Sequence, residues 1–160
     1  MPSVVLYQPQ IPPNTGNIGR TCAATGTPLH LIEPLGFSLS DRMLKRAGLD
    51  YWPLIALERH PDWLHFDQLR QHRGGRLIAL SSQAELPYTN CRFADDDWLL
   101  FGRESDGLPQ AIQAQADLRL TIPMRHGSRL QSPGVRSLNL SVSVGIVLFE
   151  ALRQLAVTEP

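Results

Sequence analysis

Short, nearly continuous apolar runs recur along the chain: Val4-Val5-Leu6-Tyr7, Leu29-His30-Leu31-Ile32, Leu54-Ile55-Ala56-Leu57, Leu77-Ile78-Ala79-Leu80, Trp98-Leu99-Leu100-Phe101 and Leu118 to Ile122. Runs without polar alternation suit strands covered on both faces, and strands separated by helical stretches pair in parallel through βαβ crossovers. The spacing predicts helices from about Ile18 to Thr25 closed by Gly26, from a Ser40 cap to about Ala47, from Pro61 to Gly74-Gly75, from Pro109 to about Ala116, and from about Leu138 to Leu155. Trp63, Leu64, Phe66 and Leu69 form the expected buried stripe of the third of these helices. The predicted class is therefore α/β, a parallel sheet flanked by helices. Ligands of such sheets sit beyond the carboxyl ends of the strands.

The chain has 160 residues and reads as a single domain over 1–160, with no visible linker or repeat. No apolar run reaches the ~20 residues needed to span a bilayer. The start, Met1-Pro2-Ser3-Val4-Val5-Leu6, reads as a first strand and not as a signal peptide, so the expected location is the cytoplasm and no membrane partner is expected. Cys22 and Cys91 are the only cysteines, far apart, and read as reduced structural thiols; no metal site is expected. The net charge is zero, but the stretch from Arg119 to Arg136 carries Arg119, Arg125, Arg129, Arg136 and His126 with no acidic residue. A neutral chain can hold phosphates locally through such a basic loop.

Three segments after predicted strands carry candidate chemistry. Asn14-Thr15-Gly16-Asn17-Ile18-Gly19-Arg20 offers two glycines and a capping residue before a helix, with Arg20 projecting from its first turn. It reads equally as a plain strand–turn–helix connection with a solvated arginine, and it is not the G-x-G-x-x-G of a dinucleotide site. Phe101-Gly102-Arg103-Glu104-Ser105-Asp106-Gly107 runs from a strand end into a helix; its G-x-x-S-x-G spacing excludes the hydrolase elbow, and Ser105 or Asp106 can be simple caps. The third, Thr121-Ile122-Pro123-Met124 followed by a loop and Arg136-Ser137-Leu138-Asn139-Leu140-Ser141, ends a strand and opens a helix, where Ser137 can again be a cap. That last helix is apolar nearly all round, so more than one of its sides should be covered.

Taken in order, these segments and Leu29-His30-Leu31-Ile32-Glu33-Pro34-Leu35-Gly36-Phe37 resemble the SPOUT superfamily of methyltransferases. Within it the chain is most similar to the minimal enzymes that methylate the ribose 2′-hydroxyl of the tRNA wobble nucleotide, position 34, and the resemblance covers essentially the whole chain. It implies a C-terminal trefoil knot, S-adenosyl-L-methionine as cofactor, a homodimer, and the tRNA anticodon stem-loop as partner. By the same resemblance Leu80, Gly102, Ile122, Ser137 and Leu138 line the cofactor pocket, Arg20 acts at the target ribose, Asn139 orients it, and Glu104 helps shape the pocket. Arg125, Arg129 and Arg136 are the expected phosphate contacts. Arg103 and Asp106 stand where many relatives carry proline and a basic or small residue. Two other readings share the fold: a methyltransferase acting elsewhere on tRNA or on rRNA, and an RNA-binding protein without catalysis.

Overall fold

The computed structural model describes residues 1–40, 42, 46, 51–124 and 135–158. Seven parallel strands form one sheet: β1 (Ser3–Tyr7), β2 (Leu29–Ile32), β3 (Leu57–His60), β4 (Leu77–Leu80), β5 (Leu86–Pro87), β6 (Trp98–Phe101) and β7 (Leu118–Thr121), in the spatial order β3-β2-β1-β6-β4-β7-β5. The helices are α1 (Pro12–Thr25), α2 (Trp63–Arg73), the short α3 (Gln110–Gln113) and α4 (Leu140–Thr158). Val4 faces Leu29 on one side and Leu99 on the other, and Ile78 faces Leu99 and Leu118. This register fixes which residues of every central strand share a face.

Two apolar layers follow from that alternation. Val4, Leu6, Leu31, Ile78, Leu99 and Phe101 pack with Ile18 and Cys22 of α1 and Val144, Val147 and Leu148 of α4. Val5, Tyr7, Leu77, Ala79, Trp98 and Leu100 pack on the other face with Phe66 of α2 and Ile112 of α3. Each fully buried aliphatic or Phe side chain contributes about 1.5–3 kcal/mol, which is why the runs are apolar without interruption. Cys22 and Cys91 are both free and buried, and burial pushes the Cys22 thiol up to about 12, so it behaves as an apolar group.

Several elements differ from the sequence expectation. Helix α1 begins at Pro12, not near Ile18, because two prolines set the first-turn dihedrals and a distant carboxylate takes over the cap. The third strand is Leu57–His60; Trp52–Leu54 is a 3₁₀ turn containing Pro53, and Leu54 is 70% exposed. On α2 the stripe is narrower than expected: Phe66 is buried but Leu64 is exposed, and Asp62 caps the helix by accepting from the His65 N–H at 2.9 Å. β5 is an unanticipated two-residue edge strand, α3 stops at Gln113, and α4 is capped by Asn139 rather than Ser137. The helix expected from Ser40 to Ala47 lies largely outside the described residues.

A polar cluster is buried beneath α2. His30 Nδ1 and His60 Nε2 are 2.9 Å apart, and the two rings lie within 17° of parallel. His30 is edge-on to Phe66 and Trp98, and its Nε2 has no hydrogen-bond partner among the described residues. Burial, with a smaller contribution from the neighbouring imidazole and Arg73 working against Glu58, holds His30 down to about 4. His60 is lowered as well, first by burial. Because the folded His30 binds its proton less readily than the unfolded chain does, its contribution to stability is complete above its ordinary 6.5 and is lost as pH falls towards about 4. The urea midpoint should accordingly drop across that window; a midpoint that stays flat from neutral pH to the acid end would contradict the assignment.

Candidate active site

Beyond the carboxyl ends of β4, β6 and β7 lies a cleft of about 730 Å³. Leu80, Gly102, Ile122, Ser137 and Leu138 all line it, together with Arg136 and Asn139. Residues drawn from positions 80 to 139 thus converge because each ends or follows a strand or precedes α4. Gly102 is required by close approach: a Cβ there would lie 2.3 Å from the Gly107 carbonyl carbon and 2.4 Å from the Leu108 nitrogen. The loop after β6 closes on itself at this point, with Arg103 and Gly107 exchanging backbone hydrogen bonds of 3.2 and 2.9 Å.

The polar framework of the cleft is a chain of hydrogen bonds. Glu104 accepts from the backbone N–H of Gln10 at 2.8 Å and of Ile11 at 3.0 Å, and from the Asn14 carboxamide at 3.4 Å. Ile11 is the N-cap residue just before α1, so this carboxylate caps a helix whose own cap position carries no polar side chain. Asn14 Oδ1 in turn accepts from Asn139 Nδ2 at 2.9 Å. Asn139 Oδ1 accepts from the N–H and hydroxyl of Ser141 at 2.8 and 2.6 Å, capping α4. Glu104, Asn14 and Asn139 therefore join the β6 loop to the first turns of two helices.

Asn14 is only 6% exposed, and the sequence reading did not single it out as a link. Read in a Pro- and Gly-rich stretch, it looked like a cap; its position inside a helix on the buried side is what gives it its partners. Arg103 and Asp106 form a pair of their own. Arg103 donates to both Asp106 oxygens at 2.7 and 2.9 Å and to Gln8 Oε1 at 2.6 Å, and stacks on Tyr7. The guanidinium holds the Asp106 carboxyl below its ordinary range.

Arg20 is not part of this cleft. It projects from the exposed side of α1, with its guanidinium 4.9 Å from the centre of the Tyr51 ring. Arg125 and Arg129 lie outside the described residues. Among the described residues, His30, Glu58 and His60 are close enough to share a cation. Glu58, however, is held by both Arg73 terminal nitrogens at 2.9 and 3.2 Å, and the imidazoles are hydrogen-bonded to each other.

The geometry defines an α/β protein with a ligand cleft over the carboxyl ends of a parallel sheet, closed by a glycine loop and by the start of its last helix. Residues 1–149 match the SpoU rRNA Methylase family, and the chain belongs to that family. It is 47% identical, over 94% of its length and 90% of the relative's, to the tRNA (cytidine(34)-2′-O)-methyltransferase of Beijerinckia indica. A solved structure concerned with 2-OH methylation of C/U34 on tRNA superposes with a TM-score of 0.89 at 49% identity, covering 98% of this chain and 97% of that one. The AdoMet-bound rRNA methyltransferase of Sinorhizobium meliloti superposes at 0.84 with 26% identity, over 96% of this chain and 56% of that one.

The collision at Gly102 is with backbone, which has nowhere to retreat. Gly102→Ala should cost about 1–3 kcal/mol of stability as an overpacking change and should weaken binding in the cleft. Thermal melting and calorimetry with S-adenosylmethionine are the measurements, and an alanine variant with both properties unchanged would show that the loop is not closed as described.

Proposed function

We propose that this chain transfers the methyl group of S-adenosyl-L-methionine to the ribose 2′-hydroxyl of nucleotide 34, the wobble position, in the anticodon stem-loop of tRNA. The observation that carries the reading is the cleft itself, on a chain nearly half identical over its full length to a protein solved for that methylation. The lining suits the cofactor: apolar Leu80, Ile122 and Leu138 flank hydroxyl and carboxamide groups of Ser137 and Asn139, an amphipathic surface appropriate to a nucleoside joined to an amino acid. When bound, the cofactor supplies an electrophilic methyl group on a sulfonium.

The remaining work falls to the protein. A ribose hydroxyl is a weak nucleophile near neutral pH, so accepting the methyl group would require its oxygen to release the proton to solvent while negative charge develops there. Arg20 stabilises the oxyanion that develops and holds the adjoining phosphate; a guanidinium stays charged and is suited to that role more than to accepting the proton. Asn139, clamped between Asn14 and Ser141, keeps a carboxamide at a fixed place beside the cleft and orients the ribose. Arg125, Arg129 and Arg136 contact RNA phosphates, of which Arg136 lines the cleft.

Since Arg20 lies away from the cleft of its own chain, it reaches the reacting ribose from the other subunit of a homodimer. The outward side of α4 supports that assembly: Val142 is 49% and Phe149 56% exposed, one face two turns apart, while Val144, Val147 and Leu148 are buried. The C-terminal segment that ends in α4 is threaded as a trefoil knot, in keeping with the SPOUT resemblance. No described helix is long and apolar enough to cross a membrane, and a tRNA substrate places the protein in the cytoplasm.

Nucleoside mass spectrometry of tRNA from cells with and without the protein tests the assignment: the 2′-O-methyl mark at position 34 should vanish in its absence. Label from radioactive cofactor entering rRNA instead of tRNA would overturn it. Arg20→Ala should lower turnover by about 10²–10³, the usual loss for a stabiliser of developing charge, with cofactor affinity unchanged in calorimetry.

Phe149→Asp should yield monomers by sedimentation at micromolar concentration and lose methylation with them. A fully active monomer would refute the shared site.

A further inference from the structure

Gly19, beside Arg20, is approached closely by two side chains: a Cβ would lie 2.7 Å from Ile55 Cδ1 and 3.1 Å from Trp52 Cζ3. The backbone of α1 is therefore pressed directly onto the 3₁₀ turn Trp52–Leu54. Ile55 joins the edge of the core, but Leu54 is 70% and Tyr51 36% exposed. What this close packing does for Tyr51 is to bring its ring over the next residue of α1, with the Arg20 guanidinium carbon 4.9 Å from the ring centre.

Among the described residues, Arg20 has no carboxylate partner. The contrast with other arginines is chemical. Arg70, Arg76 and Arg103 each direct two nitrogens at one carboxyl group. Such a pair fixes the guanidinium but cancels its charge and occupies its fork of donors. A ring face also fixes the cation, through the negative face of the quadrupole. It uses none of the five N–H groups and leaves the charge intact.

We propose that Tyr51 is a positioning residue for Arg20: its ring face orients the guanidinium, with charge and N–H donors free, towards the ribose oxygen and phosphate of the RNA. The proposal rests on the role given to Arg20 above.

The test uses the whole protein, single-turnover methyl transfer to substrate tRNA, calorimetric binding of S-adenosylmethionine, and thermal melting. Tyr51→Leu keeps apolar bulk but removes the ring, and should slow transfer about two- to fivefold, the loss expected from an exposed cation–π contact. Cofactor affinity and melting should not change. Tyr51→Phe, which keeps the ring face without the hydroxyl, should restore the wild-type rate. In an Arg20→Ala background, Tyr51→Leu should have no further effect.

A wild-type rate for Tyr51→Leu, an equal loss for Tyr51→Phe, an undiminished loss in the Arg20→Ala background, or a rate loss matched by a fall in melting temperature or cofactor affinity would each overturn the positioning role. If Arg20→Ala itself transfers at the wild-type rate, it is the assignment of Arg20 that fails.

Discussion

The carboxylate of Glu104 sits where three separately folded parts of the chain meet. From a loop more than ninety residues further along it accepts from the N–H groups of Gln10 and Ile11, which lead into α1, and through Asn14 it reaches the cap of α4. A helix N-terminus carries about half a positive charge, so a carboxylate at that place pairs the N–H groups leading into α1 and suits the dipole together. The sheet supplies the bulk of the burial, but the sheet alone leaves its strand ends as independent loops. The hydrogen-bonded chain from Glu104 to Asn139 turns those loops into one wall of a cleft.

That arrangement explains which parts of the fold could be read in the sequence. β1, β2, β4 and β6 lie inside the sheet and are covered on both faces, so each appears as a nearly unbroken apolar run. β3 and β5 are the edges; Leu57-Glu58-Arg59-His60 is largely polar, and the more apolar run just before it drew the prediction three residues early. The start of α1 was misplaced for a different reason. Local capping rules look for a side chain next to the helix, whereas here the cap comes from a residue distant in sequence, which no local pattern can announce.

Leu80, Gly102 and Ile122 were named through the SPOUT resemblance, and their places agree with a general rule: Leu80 closes β4 and Gly102 and Ile122 follow β6 and β7, positions that form the ligand crevice of this architecture. Asn14 and Tyr51 were not legible as parts of the site. Each is defined by what it touches across the fold, Asn14 through Asn139 and Tyr51 through Arg20, and neither residue type in isolation distinguishes a cap or a surface aromatic from a partner of the site. The Arg103–Asp106 pair shows the same point in reverse. An arginine after the glycine of the β6 loop looks like a new charge in the site, but its fork is taken up by Asp106 and its face by Tyr7. It adds rigidity to the loop and little net charge.

The placement of charge also bears on why Arg20 is kept out of the cleft of its own chain. The proposed cofactor carries a positive sulfonium. A second full positive charge about 5 Å away would cost about 3 kcal/mol at an effective dielectric of 20, and the cofactor would have to overcome it before any RNA arrived. Within one chain the Arg20 guanidinium lies off the cleft lining and over a neutral ring, so it imposes no such penalty on cofactor binding there. In the proposed dimer it serves the RNA, whose phosphate would offset its charge as the ribose oxygen becomes negative. On a chain with no net charge, a cation that rests on a ring and not on a carboxylate keeps its charge available to that phosphate.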